Sequence, residues 1–320
     1  MIRFLLPLVL AFTFTHVARA QESESKMKIE DLKPANKTSG EDTDNIITNP
    51  LLRAESGSKS RWSIASVVGY NGSTIENPFA EDRPNIAATT ATTNEALLGG
   101  QISGKYSISS QTSLMAGVGV RWFSPLRGNR QHTGARSDMD NPYLTYQYIY
   151  KFKGVESVFT VQSTYYTNSN LRDHGYLASV LVNQDNMYKV GESNLSLGLS
   201  VWAQGGWFNK KGPSSEKPDD ENFMADVRDD QADYLVGLAP VLEYAFNDTF
   251  NFRTVTNLWN FEHLRNAPYG LYTADAMTQS VGLGISVTRD IYLYPNVQFA
   301  LENIRADMTN VALNANINLF

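Results

Sequence analysis

The sequence has no cysteine among its 320 residues. Disulfides, thiol catalysis and cysteine-based zinc sites are therefore excluded. Beyond residue 20 there is also no run of about 18 apolar residues, so no transmembrane helix is predicted. Histidine is scarce after that point: only His132, His174 and His263 remain, and no two of them have metal-ligand spacing. We therefore expect no metal site and no cofactor.

Residues 1–20 have the pattern of a secretory signal peptide. Arg3 supplies a short positive region, residues 4–15 are apolar, and Ala18-Arg19-Ala20 is a small-x-small cleavage site. The mature chain is expected to begin at Gln21. Removal of Arg3 and Arg19 lowers the basic count from 27 to 25 against 33 acidic residues, a net charge of −8. An exported protein of that charge is a poor partner for nucleic acid.

Residues 21–60 differ in composition from the rest of the chain. They are rich in Glu, Lys, Ser, Thr, Asn and Asp, and their apolar residues follow no sustained period. One interpretation is a disordered periplasmic tail, because such a segment buries too little apolar surface to offset its ordering entropy. The other is a plug in the lumen of a barrel, which would use the small apolar cluster Ile46, Ile47, Leu51 and Leu52.

From residue 61 to the end, apolar and polar residues alternate in one segment after another, as in half-buried β-strands. The clearest case is 195–202, where three leucines and a valine alternate with two serines, a glycine and a tryptophan. Within 250–262 apolar residues occupy both parities, so the facing of that strand stays open. The pattern predicts twelve strands, at roughly 61–70, 98–108, 114–122, 144–152, 156–167, 176–188, 194–207, 233–246, 250–262, 272–288, 290–303 and 309–320.

The connections between the predicted strands alternate in length. Tight turns follow the second, fourth, sixth, eighth and tenth strands, whereas the longer connections are 71–93, 124–141, 168–175, 208–232 and 263–271. This alternation is typical of a transmembrane barrel with turns in the periplasm and loops outside. An even strand count places both termini on the periplasmic side. The sequence thus predicts an all-β, transmembrane antiparallel up-and-down β-barrel over residues 61–320, with a secreted soluble barrel or sandwich as the alternative.

Aromatic residues concentrate where these strands would cross the two membrane interfaces, as in the girdles of membrane barrels. The girdle predicted near the long loops comprises Trp122, Phe123, Tyr165, Tyr166, Tyr176, Trp207, Phe208, Tyr234, Trp259 and Tyr272. The girdle predicted near the short turns comprises Tyr106, Phe152, Tyr188, Tyr244, Phe246, Phe250, Tyr292 and Tyr294.

The last segment, residues 309–320, is an alternating strand that ends on Phe320. Its apolar residues alternate with asparagines, and Phe320 is in phase with the asparagines. In ending on a strand with a terminal Phe, the chain resembles the bacterial outer-membrane β-barrel family. The resemblance implies a Gram-negative outer membrane, lipid contact, and recognition of the last strand by the barrel-assembly machinery. It extends to no particular transporter.

One enzyme family is tested by name, the outer-membrane phospholipases, whose barrels also have twelve strands. Their His-Asp-Ser-Asn-Gly run corresponds here to Thr167-Asn168-Ser169-Asn170-Leu171. Ser169 and Asn170 match, but the base position holds Thr167, and a serine without a base is a weak nucleophile. We therefore expect no enzymatic activity. The carboxylates of loop 208–232 match no defined calcium loop and indicate a solvated outer loop.

Polar residues occupy the faces predicted to point inward. Five charged ones are candidates for lining a pore: Lys105, Arg121, Lys151, Glu243 and Glu302. A twelve-stranded lumen lies between that of filled eight-stranded barrels and that of wide porins, so we expect it to be narrow. The favoured function is a small porin-like diffusion channel for small polar solutes or ions. The alternatives are a non-conducting structural or surface-interaction barrel and a lipid-modifying enzyme.

Overall fold

The fold is a closed antiparallel barrel, seen in a computed structural model that describes residues 44–87, 93–126, 137–168, 171–172, 175–209, 232–264 and 277–319. A short helix, α1 (Pro50–Ser56), precedes the strands. The strands are β1 (Trp62–Thr74), β2 (Asp82–Pro84), β3 (Thr93–Glu95), β4 (Leu97–Ser107), β5 (Thr112–Phe123), β6 (Ser137–Phe152), β7 (Val155–Tyr165), β8 (Tyr176–Lys189), β9 (Leu195–Phe208), β10 (Ala232–Ala245), β11 (Phe250–Asn257), β12 (Trp259–Leu264), β13 (Thr278–Thr288), β14 (Ile291–Ala300) and β15 (Asn310–Leu319).

Closure of the barrel removes both open sheet edges. β1 pairs with the last strand, β15, from Ile64 opposite Leu319 to Tyr70 opposite Leu313. Every other neighbour in the wall is the next wall strand along the chain. β11 and β12 both pair with β10 and together form one wall strand, interrupted at Leu258. β2 and β3 pair only with each other, in a hairpin of the first long connection. The wall therefore has 12 strands, which confirms the predicted fold class.

The observed strands fall at the twelve predicted places, with differences at their ends. β6 begins at Ser137, inside the connection predicted at 124–141. The pairing of β6 with β5 changes register between Gly117 and Gly119 of β5, beside Asn141 of β6, which has a φ of 51°. β6 continues beyond this shift, and so begins earlier than predicted. The eleventh wall strand ends at Ala300 rather than 303, because Ala300 bridges to Asn303 in a tight turn. Residues 272–276 of the predicted tenth strand lie outside the described residues.

The outer surface of the wall is apolar. Large outward side chains alternate with inward ones, and they are exposed on the isolated chain: Trp62, Ile64, Leu114, Leu144, Leu197, Leu199, Val201, Leu313 and Leu319. A continuous apolar belt of this kind is stable against hydrocarbon and unstable against water. Within the described ranges, no helix has both the length and the hydropathy to cross a membrane.

Two tyrosines assigned above to the aromatic girdle near the short turns face the other way. Tyr292 and Tyr294 lie on the inward parity of β14, with Asn296 and Gln298, and are 2% and 5% exposed. They pack against Leu51 and Ala54 of the segment around α1. The girdle prediction was wrong for this pair, because the lumen holds protein at that level and bulky inward side chains fill the space beside it.

Candidate functional site

The candidate site is the lumen, and the predicted pore-lining residues are placed as follows. Lys105, Arg121, Lys151 and Glu243 occupy inward positions of β4, β5, β6 and β10; Lys105 and Glu243 are 2% and 3% exposed. Glu302 lies in the turn after β14 and is exposed, so it is not part of the wall. Whether any of these residues lines an open conduit stays a prediction.

Residues 44–57, called here the lumen segment, occupy the interior of the barrel. α1 contacts β7 on one side and β14 and β15 on the other. β7 and β14 lie opposite each other in the closed order of strands, so the segment spans the cross-section. Ile47 and Leu52 are 0% and 1% exposed. They pack with four inward apolar residues of the wall: Ile149, Val158, Met187 and Val241.

Two wall carboxylates hold the part of the lumen segment that precedes α1. Glu156 accepts hydrogen bonds from Thr48 N at 2.9 Å, from Thr48 Oγ1 at 2.6 Å and from Asn49 N at 2.8 Å. Glu243 accepts from Asn49 Nδ2 at 2.6 Å. Asn49 is also the N-cap of α1, because its Oδ1 accepts from Leu52 N at 3.1 Å. Wall carboxylates thus satisfy backbone N–H groups that precede the helix.

Four wall donors bond to the carbonyl groups at the other end of α1, where a helix leaves its last carbonyls without the usual partners four residues on. The carbonyls of residues 54, 55, 56 and 57 accept, in that order, from Asn318 Nδ2 at 2.5 Å, Gln147 Nε2 at 3.0 Å, Lys105 Nζ and Arg289 at 2.7 Å. Gly57 has a φ of +88°, and a Cβ there would meet the Lys105 side chain. The glycine therefore permits both the helix end and the close approach of Lys105.

Like Glu156, Arg253 is a charged lumen residue that sequence analysis missed. It lies on β11, buried, forms an ion pair with Glu243, and lies over the ring of Tyr294 at 5.7 Å. Its strand has apolar residues on both parities, because inward Val255 packs against the apolar cluster of the lumen segment. The usable signal was that Arg253 shares its parity with Asn251 rather than with Phe250 and Phe252.

Charged groups also surround the lumen segment at the level of the short turns. Asp44 pairs with Arg289 at 2.6 Å and with Lys59 at 2.7 Å. Burial opposes ionisation of Asp44, but these hydrogen bonds outweigh it and hold the pKa of Asp44 below its usual value. Lys151 pairs with Glu156 at 3.1 Å, so this carboxylate has a wall partner as well as the lumen segment.

Glu55, on α1, is the titratable group of the lumen segment with the strongest perturbation. Burial, together with the nearby carboxylate of Asp185, raises the pKa of Glu55 to about 8. Arg253 and a hydrogen bond with Asn316 oppose that shift without cancelling it. Glu55 is therefore mostly protonated, and uncharged, at neutral pH.

The first long connection folds inward at the other end of the barrel. Arg83 of β2 donates to Oε1 of Gln298 on β14 at 2.6 Å, and Asn310 Nδ2 donates to the carbonyl of Pro84 at 2.8 Å. On another part of that rim, Arg121 forms ion pairs with Asp140 and, at 3.5 Å, with Asp138. The hydrogen bonds of Arg83 and Pro84 tie the hairpin β2–β3 to inward-facing residues of the wall.

A chamber remains between the lumen segment and this inward connection. Its volume is about 400 Å³. Leu51 and Glu55 border it on the side of α1, and Ile86 borders it on the side of the first long connection. The rest of its lining comes from the wall: Val67, Arg253, Val255, Asn257, Thr278, Gln279, Ser280, Tyr292, Tyr294, Gln298, Asn314, Ala315 and Asn316.

The residues compared above with the phospholipase run form no described catalytic arrangement. Thr167 Oγ1 accepts from Asn141 N at 2.8 Å, and Asn168 Nδ2 donates to Asp140 at 3.0 Å. Ser169, Asn170 and His174 lie outside the described residues, as do residues 210–231 of the acidic loop. Among the described residues, no group of three or more His, Asp or Glu side chains could hold a metal ion.

The strand pairing, the apolar outer belt and the polar lumen together define a class: a transmembrane antiparallel up-and-down β-barrel. No protein-family model matches the sequence, and no curated protein is significantly similar to it. Solved structures that match it belong to bacterial outer-membrane barrels.

Three of these solved structures illustrate the range. An outer membrane channel from Pseudomonas putida F1 is 14% identical, over 83% of this chain and 97% of that chain, with a TM-score of 0.49. The KdgM porin is 8% identical, over 81% of this chain and 98% of that chain, with a TM-score of 0.39. An outer membrane phospholipase from Salmonella typhi, solved as a dimer with bound calcium, is 11% identical, over 81% and 90%, with a TM-score of 0.33. Matches at this level assign no solute and no reaction.

Proposed function

We propose that this chain is a bacterial outer-membrane diffusion channel for small polar solutes or ions, and that the lumen segment closes its conduit. The observation that carries the proposal is the chamber of about 400 Å³, lined largely by polar side chains, between the lumen segment and the inward-folded connection. A barrel with a purely structural role has no need of such a space. Water and small solutes fit a cavity of this size.

The contacts of the lumen segment favour a displaceable closure. Its backbone carbonyls and N–H groups bond to wall side chains, and water can replace each of these partners when the segment leaves. The wall acids keep their own cations, since Glu243 pairs with Arg253 and Glu156 pairs with Lys151. The wall therefore does not depend on the segment for charge compensation at these two acids.

The test is conductance in a planar bilayer. The mature chain is compared with a chain lacking residues 21–57, and a chain lacking only 21–43 is the matched control because it keeps the lumen segment. We expect the first deletion to give a larger unit conductance and the control to behave like the mature chain. Heat-dependent mobility in gels checks that each barrel is folded.

The competing interpretations give other outcomes. If all three folded chains fail to conduct, the barrel is a structural or surface-interaction protein. A lipase assay, with Ser169→Ala as control, addresses the enzyme interpretation: hydrolysis that disappears in the variant contradicts the channel proposal. No described contact favours that reaction.

The proposed orientation places both termini and the short turns in the periplasm, with the long loops outside. The apolar belt contacts outer-membrane lipid, and the last strand is the one that the assembly machinery recognises. A protease added to intact cells is expected to cut within 208–232. Cleavage there only after the outer membrane is opened contradicts this orientation.

A further inference from the structure

The chamber between the lumen segment and the first long connection has the size of a small-molecule site. Its volume of about 400 Å³ lies within the range of about 300–1,000 Å³ that such sites occupy. Its surface comes from five wall strands and from two segments that fold into the barrel. Side chains from separate parts of the chain therefore converge on one space.

Amide groups dominate the polar part of this lining. Asn257 Nδ2 donates to Thr278 Oγ1 at 3.2 Å, which leaves its carbonyl oxygen available. Gln298 Oε1 accepts from Arg83 at 2.6 Å, which leaves its amino group available. Asn314 is exposed to the chamber. Each such amide combines a hydrogen-bond donor with an acceptor.

The charges of the lining largely compensate each other within the protein. Among the described residues of the lining, Arg253 is the basic side chain and Glu55 is the acidic one. Arg253 already donates to the carboxylate of Glu243. Glu55 is mostly uncharged at neutral pH, for the reasons given above. A charged solute that entered the chamber would lose its hydration without meeting an unpaired charge of opposite sign, which is unfavourable.

We propose that the chamber binds a neutral, hydroxyl-rich solute of about monosaccharide size. Each hydroxyl of such a solute both donates and accepts, and so matches the amides of Asn257, Gln298 and Asn314. Its C–H faces can pack on Val67 and Val255 of the same lining. The proposal names the class of solute for the channel and therefore rests on the proposed function.

The experiment is equilibrium dialysis of the refolded mature chain in detergent with labelled D-glucose. Unlabelled D-glucose, gluconate and lysine serve as competitors of similar size and different charge. We expect glucose to compete at least about tenfold better than gluconate or lysine, since each tenfold corresponds to about 1.4 kcal/mol. A preference of either charged competitor over glucose overturns the proposal.

Variants locate the site. Asn314→Leu and Asn257→Leu each remove an amide of the chamber and should weaken glucose binding at least about tenfold. Gln162→Leu is the matched control, because Gln162 lies on the lumen wall of β7 outside the chamber. The glucose affinity of this variant should equal that of the unaltered chain. Unchanged binding in a folded Asn314→Leu and a folded Asn257→Leu barrel refutes the site.

Conductance separates this proposal from the one on which it rests. Conductance without glucose binding refutes the binding site and leaves the channel. Glucose binding that the chamber variants weaken, with no conductance in any chain, supports the site and refutes the channel. Both measurements use the same refolded protein.

Discussion

Substitution of Glu156 by Gln should release the lumen segment. The Glu156 carboxylate receives two backbone N–H groups and one hydroxyl of residues 48 and 49, at 2.6 to 2.9 Å. Gln preserves the size of the side chain but removes its charge and turns one acceptor into a donor. Both backbone N–H groups bond to Oε2, so the amide oxygen of Gln can keep them, but only as weaker hydrogen bonds to a neutral acceptor, while the amino group that replaces Oε1 faces the Lys151 ammonium.

The magnitude follows from the strength of hydrogen bonds to charged groups, which contribute about 1.5–3 kcal/mol each. A hydrogen bond between neutral groups contributes only about 0.5–1.5 kcal/mol, so the weakening of the two backbone bonds costs about 1–3 kcal/mol in all. The equilibrium between bound and released segment should therefore shift by roughly 5- to 150-fold toward release. The wall itself should stay folded, because its strand pairing does not involve the carboxylate.

The assay is trypsin cleavage after Arg53, which lies within α1 and becomes accessible when the segment leaves the lumen. Cleavage of the refolded barrel is followed by mass spectrometry, and its rate should rise with the released fraction. Glu192→Gln, the same substitution in an exposed turn, is the control and should leave the rate unchanged. If Glu156→Gln is cleaved no faster than the unaltered chain, the hydrogen bonds of Glu156 do not hold the segment.

Two further predictions concern charge. Arg121→Glu would place a third acid beside Asp138 and Asp140 at the rim. The reversal potential of a conducting barrel in a salt gradient should therefore move toward cations. If the reversal potential does not move, Arg121 is not part of the conduit. Because the folded-state pKa of Glu55, about 8, exceeds its ordinary value of 4.5, its stabilising contribution is complete below 4.5 and is lost as pH rises through about 8. Cleavage after Arg53 should therefore accelerate from about pH 6.5 to about pH 9. The Glu55→Gln variant, cleaved in parallel, should lack that acceleration. An equal acceleration in both chains refutes the role of Glu55.

Most of the wall was predictable because a strand that separates lipid from a polar interior must alternate. β9 alternates cleanly and its predicted facing agrees with the observed burial, as does that of β15 except at Asn314 and Ala315. The alternation of short and long connections was also predictable, because short turns and long loops differ in length and the sequence shows length directly. The end of β14 and the start of β6 were not, since a tight turn and a register shift decide them.

Alternation failed as a guide where the lumen contains protein. At the level of α1 the inner wall is also apolar, with Ile149, Val158 and Met187 packed against the lumen segment. The strand containing Arg253 then showed apolar residues on both parities, and Tyr292 and Tyr294 resembled girdle residues. Apolar residues of inward parity, gathered at the short-turn ends of several strands, are thus a sequence signal for an occupied lumen.

Lys105 shows how the lumen segment and the wall determine each other's electrostatics. Its Nζ bonds to the carbonyl of Ser56 and, at 3.4 Å, to Oε1 of Gln147. Among the described residues, no carboxylate lies within ion-pair distance of this ammonium group, so the segment supplies its closest acceptor. Once the segment leaves, water must solvate Lys105, and its charge is no longer masked. Under the proposed function, opening the conduit therefore adds one positive charge near its short-turn end, whereas Glu243 stays neutralised by Arg253.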